Sequence, residues 1–132
     1  MSKTILIADD NKNLGKLLQD WLKIIFPDYA IATVLSGVDA IGFVAKEKPD
    51  LVIMDIHMPG INGIEATRQL KNEHPSTKVI IISVFDDDVH RCASLSAGAS
   101  GYIAKSKIRI DLIPLLNRLI MSEICESTPA IP

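Results

Sequence analysis

A charged residue at the end of an apolar run is the feature that constrains this chain most. Asp55 directly follows Leu51–Met54 and opens the segment Asp55–Gly60, which reads DIHMPG. An apolar run of this length is typical of a strand that is buried on both faces of a parallel sheet. Because a charged carboxylate is costly to bury, we expect this strand to end in a polar cleft.

Other apolar runs in the chain end in the same way. Asp9 and Asp10 follow one run, Ser83 follows another, and Lys105 follows a third. In an open parallel sheet, binding sites lie outside the carboxyl ends of the strands, near the point where the strand order reverses. The sequence therefore predicts that these polar side chains share one site. The three runs are Ile5–Ala8, Val79–Ile82 and Tyr102–Ala104.

Strand-like and helix-like segments alternate along the whole chain. This alternation predicts an α/β domain whose parallel sheet is covered by helices on both faces. Ser36 is suited to cap the second helix, and Gly98 to end the fourth. Pro114 is tolerated only in a first helical turn, so the fifth helix is predicted to start near Asp111. The strand candidates are Thr4–Ala8, Tyr29–Leu35, Leu51–Met54, Val79–Ser83 and Gly101–Ala104.

Taken together, these residues resemble the receiver domain of two-component response regulators, from about Lys3 to Ile124. Each motif is weak alone, but their order and their shared position at strand ends are specific. The segment Gly98–Lys105 looks most like the subfamily whose receivers precede a LuxR-type helix-turn-helix. The matching residues are the acid pair Asp9 and Asp10, Asp55 within Asp-x-x-Met-Pro-Gly, the hydroxyl of Ser83, and Lys105 with Tyr102 three residues before it.

The resemblance implies a flavodoxin-like, CheY-like fold. This is a doubly wound parallel sheet of five strands in the order 2-1-3-4-5, with five helices. Strands 1 and 3 are neighbours in that order, which brings Asp9, Asp10 and Asp55 together. We expect a receiver domain over residues 1–125 and a tail or the start of a linker over residues 126–132.

Clustered carboxylates repel one another unless a cation compensates, and Mg²⁺ prefers oxygen ligands. The resemblance implies that Asp10 and Asp55 ligate Mg²⁺ directly, together with the backbone carbonyl of His57. Asp9 is expected to act through a water molecule. The alternative for the acid pair is a cap on the first helix, although Asn11 is suited to that role as well.

Asp55 is then the residue that accepts a phosphoryl group, because a carboxylate can attack phosphorus. Lys105 and the Ser83 hydroxyl are expected to bind phosphoryl oxygens. In the implied switch, Ser83 turns toward the phosphate and Tyr102 moves inward. Taken singly, Lys105 is better explained as a surface lysine and Ser83 as a strand-end hydroxyl bonded to the backbone, but their shared position at strand ends and their spacing reverse this. The alternative for Tyr102 is a half-buried strand aromatic.

Residues beside the site are expected to tune it. The branched side chain of Val84 should narrow access to the phosphoryl group, and the solvent-facing side chain of His57 should affect its lifetime. His90 is predicted to be solvated. The run Asp86–Asp88 is most simply a helix start whose acids favour the helix dipole.

The implied function is signalling rather than catalysis. A sensor histidine kinase would phosphorylate Asp55, and the fourth helix, fifth strand and fifth helix would form the output face. That face would control transcription through an output domain absent from this chain. Alternatives are a stand-alone receiver that regulates a protein partner, a degenerate receiver that only binds, a flavodoxin-like cofactor protein, and a Mg²⁺-dependent phosphatase resembling haloacid dehalogenases. The phosphatases place a second acid where this chain has His57.

Composition limits the remaining classes of function. The net charge is −2, which gives no reason to expect direct DNA binding. No apolar stretch approaches the roughly 18 residues of a membrane span, and Met1–Thr4 lacks the pattern of a signal peptide. Cys92 and Cys125 have no metal-binding spacing, which favours a reduced, cytoplasmic protein. A homodimer is expected on activation.

Overall fold

The computed structural model describes residues 3–127, with side chains described for residues 3–121. The strands form one parallel sheet in the order β2-β1-β3-β4-β5, as predicted. The strands are β1 (Lys3–Ala8), β2 (Tyr29–Val34), β3 (Leu51–Asp55), β4 (Lys78–Ser83) and β5 (Gly101–Ala104). The helices are α1 (Lys12–Ile25), α2 (Gly37–Glu47), α3 (Gly63–Glu73), α4 (Asp88–Ser96) and α5 (Ile108–Ser127).

Each face of the sheet is covered by its own hydrophobic cluster. On one face, Leu18 of α1 and Leu112 of α5 pack with strand residues such as Ile53. On the other face, Val44 of α2 and Leu70 of α3 pack with the alternate strand residues. The central strands are therefore apolar on both sides, which is why they read as continuous apolar runs.

The helices begin at polar capping residues. The Asn11 side chain accepts hydrogen bonds from the backbone N–H groups of Asn13 and Leu14 at the start of α1. Because Asn11 provides this cap, Asp9 and Asp10 are not needed for it. Ser36 caps α2 as predicted, and Gly98 follows α4 with a φ of 107°, a left-handed conformation that suits glycine.

The predicted start of the fifth helix near Asp111 is wrong. A 3₁₀ turn over Lys105–Lys107 leads directly into α5 at Ile108, so Pro114 lies inside the helix. Ile108 and Leu112 are 6% and 0% exposed, and their burial holds the first turn in place. Proline removes one helical hydrogen bond, to the carbonyl of Ile110 four residues earlier. Because Ile110 is exposed, water can bind that carbonyl.

The boundary between a receiver domain over residues 1–125 and a tail over residues 126–132 stays a prediction. The helix α5 continues to Ser127. Residues 128–132 lie outside the described part of the chain, as does the side chain of Cys125.

The strand register aligns the polar strand ends. Asp55 at the end of β3 pairs with Ile82, and Ser83 at the end of β4 pairs with Ala104. Ala8 at the end of β1 pairs with Met54, so Asp9 and Asp55 are the next residues on adjacent strands. The carboxyl edge of the sheet thus collects the residues that the sequence singled out.

Candidate functional site

Three carboxylates form a cluster at the carboxyl edge of β1 and β3. Asp9, Asp10 and Asp55 each place an oxygen within 4.8 Å of the other two. Asp9 and Asp55 are 1% and 3% exposed, whereas Asp10 is exposed. Two buried acids and one open acid make a site that is closed toward the sheet and open toward solvent.

Lys105 reaches this cluster from the far side of β4. Its Nζ lies 3.0 Å from Oδ2 of Asp9 and 3.3 Å from Oδ2 of Asp55. From β5 to β3 is two strand spacings of about 4.8 Å each, which an extended lysine side chain can span. The position directly after β5 therefore places a cation against acids on two other strands.

The electrostatics of Asp55 follow from this arrangement. Burial, reinforced by the Asp9 carboxylate, raises the pKa of Asp55 to about 6 from an ordinary 3.8, although Lys105 and the His57 backbone N–H work in the opposite direction. For Lys105, burial opposes the charge, but Asp9 and Asp55 outweigh it and the pKa is raised. Lys105 is therefore an ammonium, and Asp55 is held near the boundary between acid and carboxylate.

The donor set fits a hard divalent cation. Oδ1 of Asp9 accepts a hydrogen bond from the backbone N–H of Asn11 at 2.8 Å. Its Oδ2 is buried and has no partner with hydrogen-bond geometry among the described residues, so its contact with Lys105 is an ion pair only. A buried carboxylate oxygen that faces two further acids has spare capacity for a cation, and Mg²⁺ takes carboxylate oxygens and water.

The loop after β3 is fixed by a close backbone approach. A Cβ on Gly63 would lie 2.0 Å from the carbonyl oxygen of Asp55, so no other residue fits there. The Gly63 N–H also donates to the carbonyl of Ile56 at 2.8 Å. The N-terminus of α3 is thereby packed against the end of β3, which holds Asp55 in place. The sequence interpretation missed Gly63; the only local signal is its position beside the Asn62 cap.

Ser83 and Tyr102 are linked through one residue of the β4–α4 loop. The Ser83 hydroxyl is fully buried and accepts a hydrogen bond from the backbone N–H of Phe85 at 3.1 Å. The Tyr102 hydroxyl donates to the backbone carbonyl of Phe85 at 2.5 Å. The Tyr102 ring is already buried, at 7% exposure. Its predicted inward movement stays a prediction.

Ion pairs also hold the β4–α4 loop in place. Asp86 pairs with Arg91 of α4 at 3.2 Å and with Lys107 of the 3₁₀ turn at 3.1 Å. The Arg91 guanidinium lies 5.0 Å from the centre of the Tyr102 ring. Asp87 caps α4, in agreement with the predicted helix start. Asp86 has the additional role of joining the loops after β4 and β5.

The rings beside the site are packed against one another. Phe85 stacks on His90 with centroids 4.5 Å apart and planes 6° apart, and the His57 ring meets Phe85 edge-on at 5.1 Å. His57 is exposed, as expected, and its ring lies outside the carboxylate cluster. The predicted exposure of His90 is found in part: its side chain is 30% exposed, one face of the ring is covered by Phe85, and Nδ1 lies 2.8 Å from Asp87. Val84, the residue after Ser83, is 66% exposed.

The arrangement suits chemistry on an anionic group. Asp55 offers a nucleophilic carboxylate, while Lys105 offers a fixed positive charge. Ser83 offers one hydroxyl proton. Such a set can position a phosphoryl group and neutralise its charge, which is most of what phosphoryl transfer requires from a protein.

The fold and the site define a class that comparison with known proteins identifies. The family model described as the response regulator receiver domain matches residues 5–117. The chain therefore belongs to the response regulator receiver domain family, the receivers of two-component systems. Receivers of this family are signalling modules.

The chain is similar to receivers of known regulators. It is 38% identical over 105 residues to the transcriptional regulatory protein DegU of Brevibacillus brevis, covering 76% of this chain and 43% of that protein. It is 36% identical over 101 residues to the response regulator GacA of Pseudomonas viridiflava, covering 76% and 47%. The chain thus spans about half the length of the curated relatives it matches.

A solved structure gives the same result for the fold. The crystal structure of a LuxR-family two-component response regulator from Aurantimonas sp. SI85-9A1 superposes with a TM-score of 0.84 at 25% identity. The match covers 92% of this chain and 87% of that chain.

Among the described residues, no helix has the length and apolar character needed to cross a bilayer.

Proposed function

We propose that this chain is a phospho-accepting receiver in which Asp55 takes a phosphoryl group from a sensor histidine kinase. The observation that carries this proposal is the position of Asp55. It lies at the end of β3, in a cluster with two other acids, and Lys105 Nζ is 3.3 Å from its carboxylate. Buried acids gathered at a strand end are costly unless the site uses them.

The proposed step is an in-line displacement at phosphorus. One carboxylate oxygen of Asp55 forms a bond to phosphorus while the phosphorus–nitrogen bond of the kinase's phosphohistidine breaks. The imidazole leaves with the bonding electron pair and takes up a proton, and Asp55 becomes an aspartyl phosphate. The attack requires the ionised form of Asp55, so its pKa of about 6 places the active form at neutral pH and above.

Lys105 and Ser83 act on the phosphoryl oxygens. Lys105 is already held at the site by Asp9, so it needs little reorganisation to neutralise an incoming oxygen. The Ser83 oxygen accepts the Phe85 N–H, which leaves its own O–H free to donate. Val84 and His57 are both exposed, and we propose that they limit the approach of water to the phosphoryl group.

Asp10 and Asp55 would hold a Mg²⁺ ion directly, with the His57 backbone carbonyl as a further ligand and Asp9 acting through water. When bound, the ion supplies charge neutralisation for the phosphoryl oxygens. The three acids, whose oxygens lie within 4.8 Å of one another, and the burial of two of them support this assignment.

The proposed output is a change on the surface formed by α4, β5 and α5. Phosphorylation draws the Ser83 hydroxyl toward the phosphate. This changes the hydrogen bond from the Phe85 N–H to Ser83, and with it the position of the Phe85 carbonyl that accepts the bond from Tyr102. This is a population shift between two arrangements of the loop. Because relatives such as DegU extend well beyond the matched region, we infer control of transcription through a separate output domain.

Intact-mass measurement with acetyl phosphate and Mg²⁺ tests the proposal. We expect the wild type to gain one phosphoryl group and Asp55→Asn to gain none. The matched control is Asp28→Asn, at an exposed acid, which should label fully. A wild type that stays unmodified, or an Asp55→Asn protein labelled as well as the wild type, would refute the proposed function.

A further inference from the structure

Phe85 is the junction between the two switch residues, and its backbone serves both. Its N–H donates to Ser83 at 3.1 Å, and its carbonyl accepts from Tyr102 at 2.5 Å. A shift of this one residue therefore changes both hydrogen bonds together. The contacts that hold Phe85 in place therefore determine the orientation of the Ser83 hydroxyl and the position of the Tyr102 ring.

The side chain of Phe85 is held mainly by a histidine of α4. Its ring is 41% exposed, so the core does not fix it. It instead lies flat on His90, at 4.5 Å between centroids and 6° between planes. Among the residues that the structure describes, its other ring contact is an edge contact from His57 at 5.1 Å, which comes from the loop after β3. His90 is the one of these partners that belongs to a regular helix.

His90 is itself fixed to the start of α4. Its backbone N–H donates to Oδ1 of Asp87 at 2.8 Å, and its ring Nδ1 lies 2.8 Å from both oxygens of the same carboxylate. One turn later, the Ser94 hydroxyl donates to the His90 carbonyl at 2.8 Å. The backbone bond from His90, followed by its ring, holds the pKa of Asp87 below its ordinary value. Asp87 is therefore a carboxylate that clamps the ring.

We propose that His90 is a positioning residue for the phosphoryl chemistry of Asp55, acting through the stack on Phe85. This inference rests on the proposed function of Asp55 and adds a residue on α4 to it. The stacked ring keeps the Phe85 N–H on the Ser83 oxygen, which directs the Ser83 O–H away from the loop. The same contact couples α4 to the site, because any movement of α4 moves His90 and the Phe85 ring stacked on it.

The test compares three variants in the full chain. His90→Ala removes both the ring that stacks on Phe85 and its contact with Asp87. His90→Phe keeps a flat ring but cannot pair with Asp87. Cys92→Ala, at an exposed side chain of the same helix, is the control. Each protein is measured for its rate of labelling by acetyl phosphate with Mg²⁺ and for the lifetime of the aspartyl phosphate.

An aromatic pair contributes enough to change these rate constants by about two- to tenfold. We expect a change of that size in His90→Ala, wild-type behaviour in Cys92→Ala, and recovery toward wild type in His90→Phe. Rescue by phenylalanine separates positioning from a general loss of structure. If His90→Ala does not fold, Phe85→Leu removes the same stack without touching the α4 cap, and the same change is expected.

A second readout follows Tyr102 without any phosphoryl donor. The chain has two tyrosines. Labelling with 3-fluorotyrosine therefore gives two ¹⁹F resonances, and Tyr29→Phe assigns them. We expect the Tyr102 resonance to move in His90→Ala and to return in His90→Phe.

Unchanged labelling, lifetime and Tyr102 resonance in His90→Ala would overturn the inference, as would a folded His90→Phe that behaves like His90→Ala. If the wild type is not labelled at all, the proposed function of Asp55 fails. The fluorotyrosine spectrum still decides whether the stack positions the loop.

Discussion

The Lys105 ammonium lies 3.3 Å from Oδ2 of Asp55, although Asp55 ends β3, Lys105 follows β5, and these two strands are not adjacent in the sheet. The pair does not cancel the cost of burying Asp55. Its pKa stays raised to about 6, because burial and the Asp9 carboxylate outweigh Lys105. The site thus holds unfavourable negative charge, which a bound cation can neutralise.

Removing the Asp55 charge should stabilise the free protein at neutral pH. The unfolded chain titrates Asp55 near 3.8 and the folded protein near about 6. Between these values the folded state binds more protons, so the free energy of unfolding falls as the pH rises, and the cost is complete above about pH 6. We expect Asp55→Asn to be more stable above pH 6 by up to about 3 kcal/mol.

Urea unfolding without Mg²⁺ measures this difference. The difference in stability between Asp55→Asn and the wild type should shrink as the pH falls from about 6 and vanish below pH 3.8. Asp28→Asn should show no such trend. If Asp55→Asn were less stable than the wild type at pH 7.5, the electrostatic account of the site would be wrong.

Labelling should depend on Mg²⁺ and on Asp10. The exposed Asp10 carboxylate completes the cluster of three acids, so its loss removes a ligand without opening the core. We expect excess EDTA to abolish labelling by acetyl phosphate and Asp10→Ala to come close to doing so. Mg²⁺ should also raise the Tm of the wild type, and by less in Asp10→Ala.

The matched control for Asp10→Ala is Asp20→Ala, at an exposed acid of α1 that pairs with Lys16. It should label like the wild type. Full labelling in excess EDTA would contradict the role given to the metal.

Val84 should lengthen the lifetime of the phosphorylated state. Its branched side chain follows Ser83 directly and is 66% exposed. We expect Val84→Ala to lose phosphate faster, because water reaches the phosphorus more easily. The lifetime is followed by intact mass after removal of acetyl phosphate. An equal or longer lifetime in the alanine variant would exclude Val84 as the barrier.

Activation should change the association of the chain without conferring DNA binding. α4 exposes Val89 at 78% and Leu95 at 48%, which gives the proposed output surface apolar area for a second copy. We expect the mass in solution to rise when beryllofluoride and Mg²⁺ are added. Val89→Glu should prevent the rise, whereas Leu17→Glu on α1, at an equally open apolar position, should not.

Titration of duplex DNA at moderate salt completes this test. With a net charge of −2, the chain should show no saturable binding. Tight binding to one DNA sequence would contradict the assignment of output to a separate domain.

The sequence predicts the strand ends well because the signal is local. Asp9, Asp55, Ser83 and Lys105 each come directly after an apolar run, and burial on both faces of the sheet produces such runs. The parallel register then brings these positions to one edge without further information. The strand order required the family resemblance, since alternation alone leaves other orders open.

The parts that escaped prediction depend on contacts between distant residues. The bond from Tyr102 to Phe85 joins residues 17 positions apart and depends on the shape of one loop. The stacked position of His90 depends on the same loop, so its sequence position on a helix gave no sign of it. The start of α5 was misjudged because the burial of Ile108 outweighs the local cost of Pro114.

Locating the phosphoryl group on the chain tests the central claim most directly. Borohydride reduces an aspartyl phosphate to homoserine, so brief treatment after acetyl phosphate and Mg²⁺ marks the modified residue permanently. Peptide mapping by tandem mass spectrometry should find the mark at Asp55 and at neither Asp9 nor Asp10. A mark at another acid, or none in a protein that has gained a phosphoryl group, would contradict the assignment of Asp55 as the phospho-acceptor.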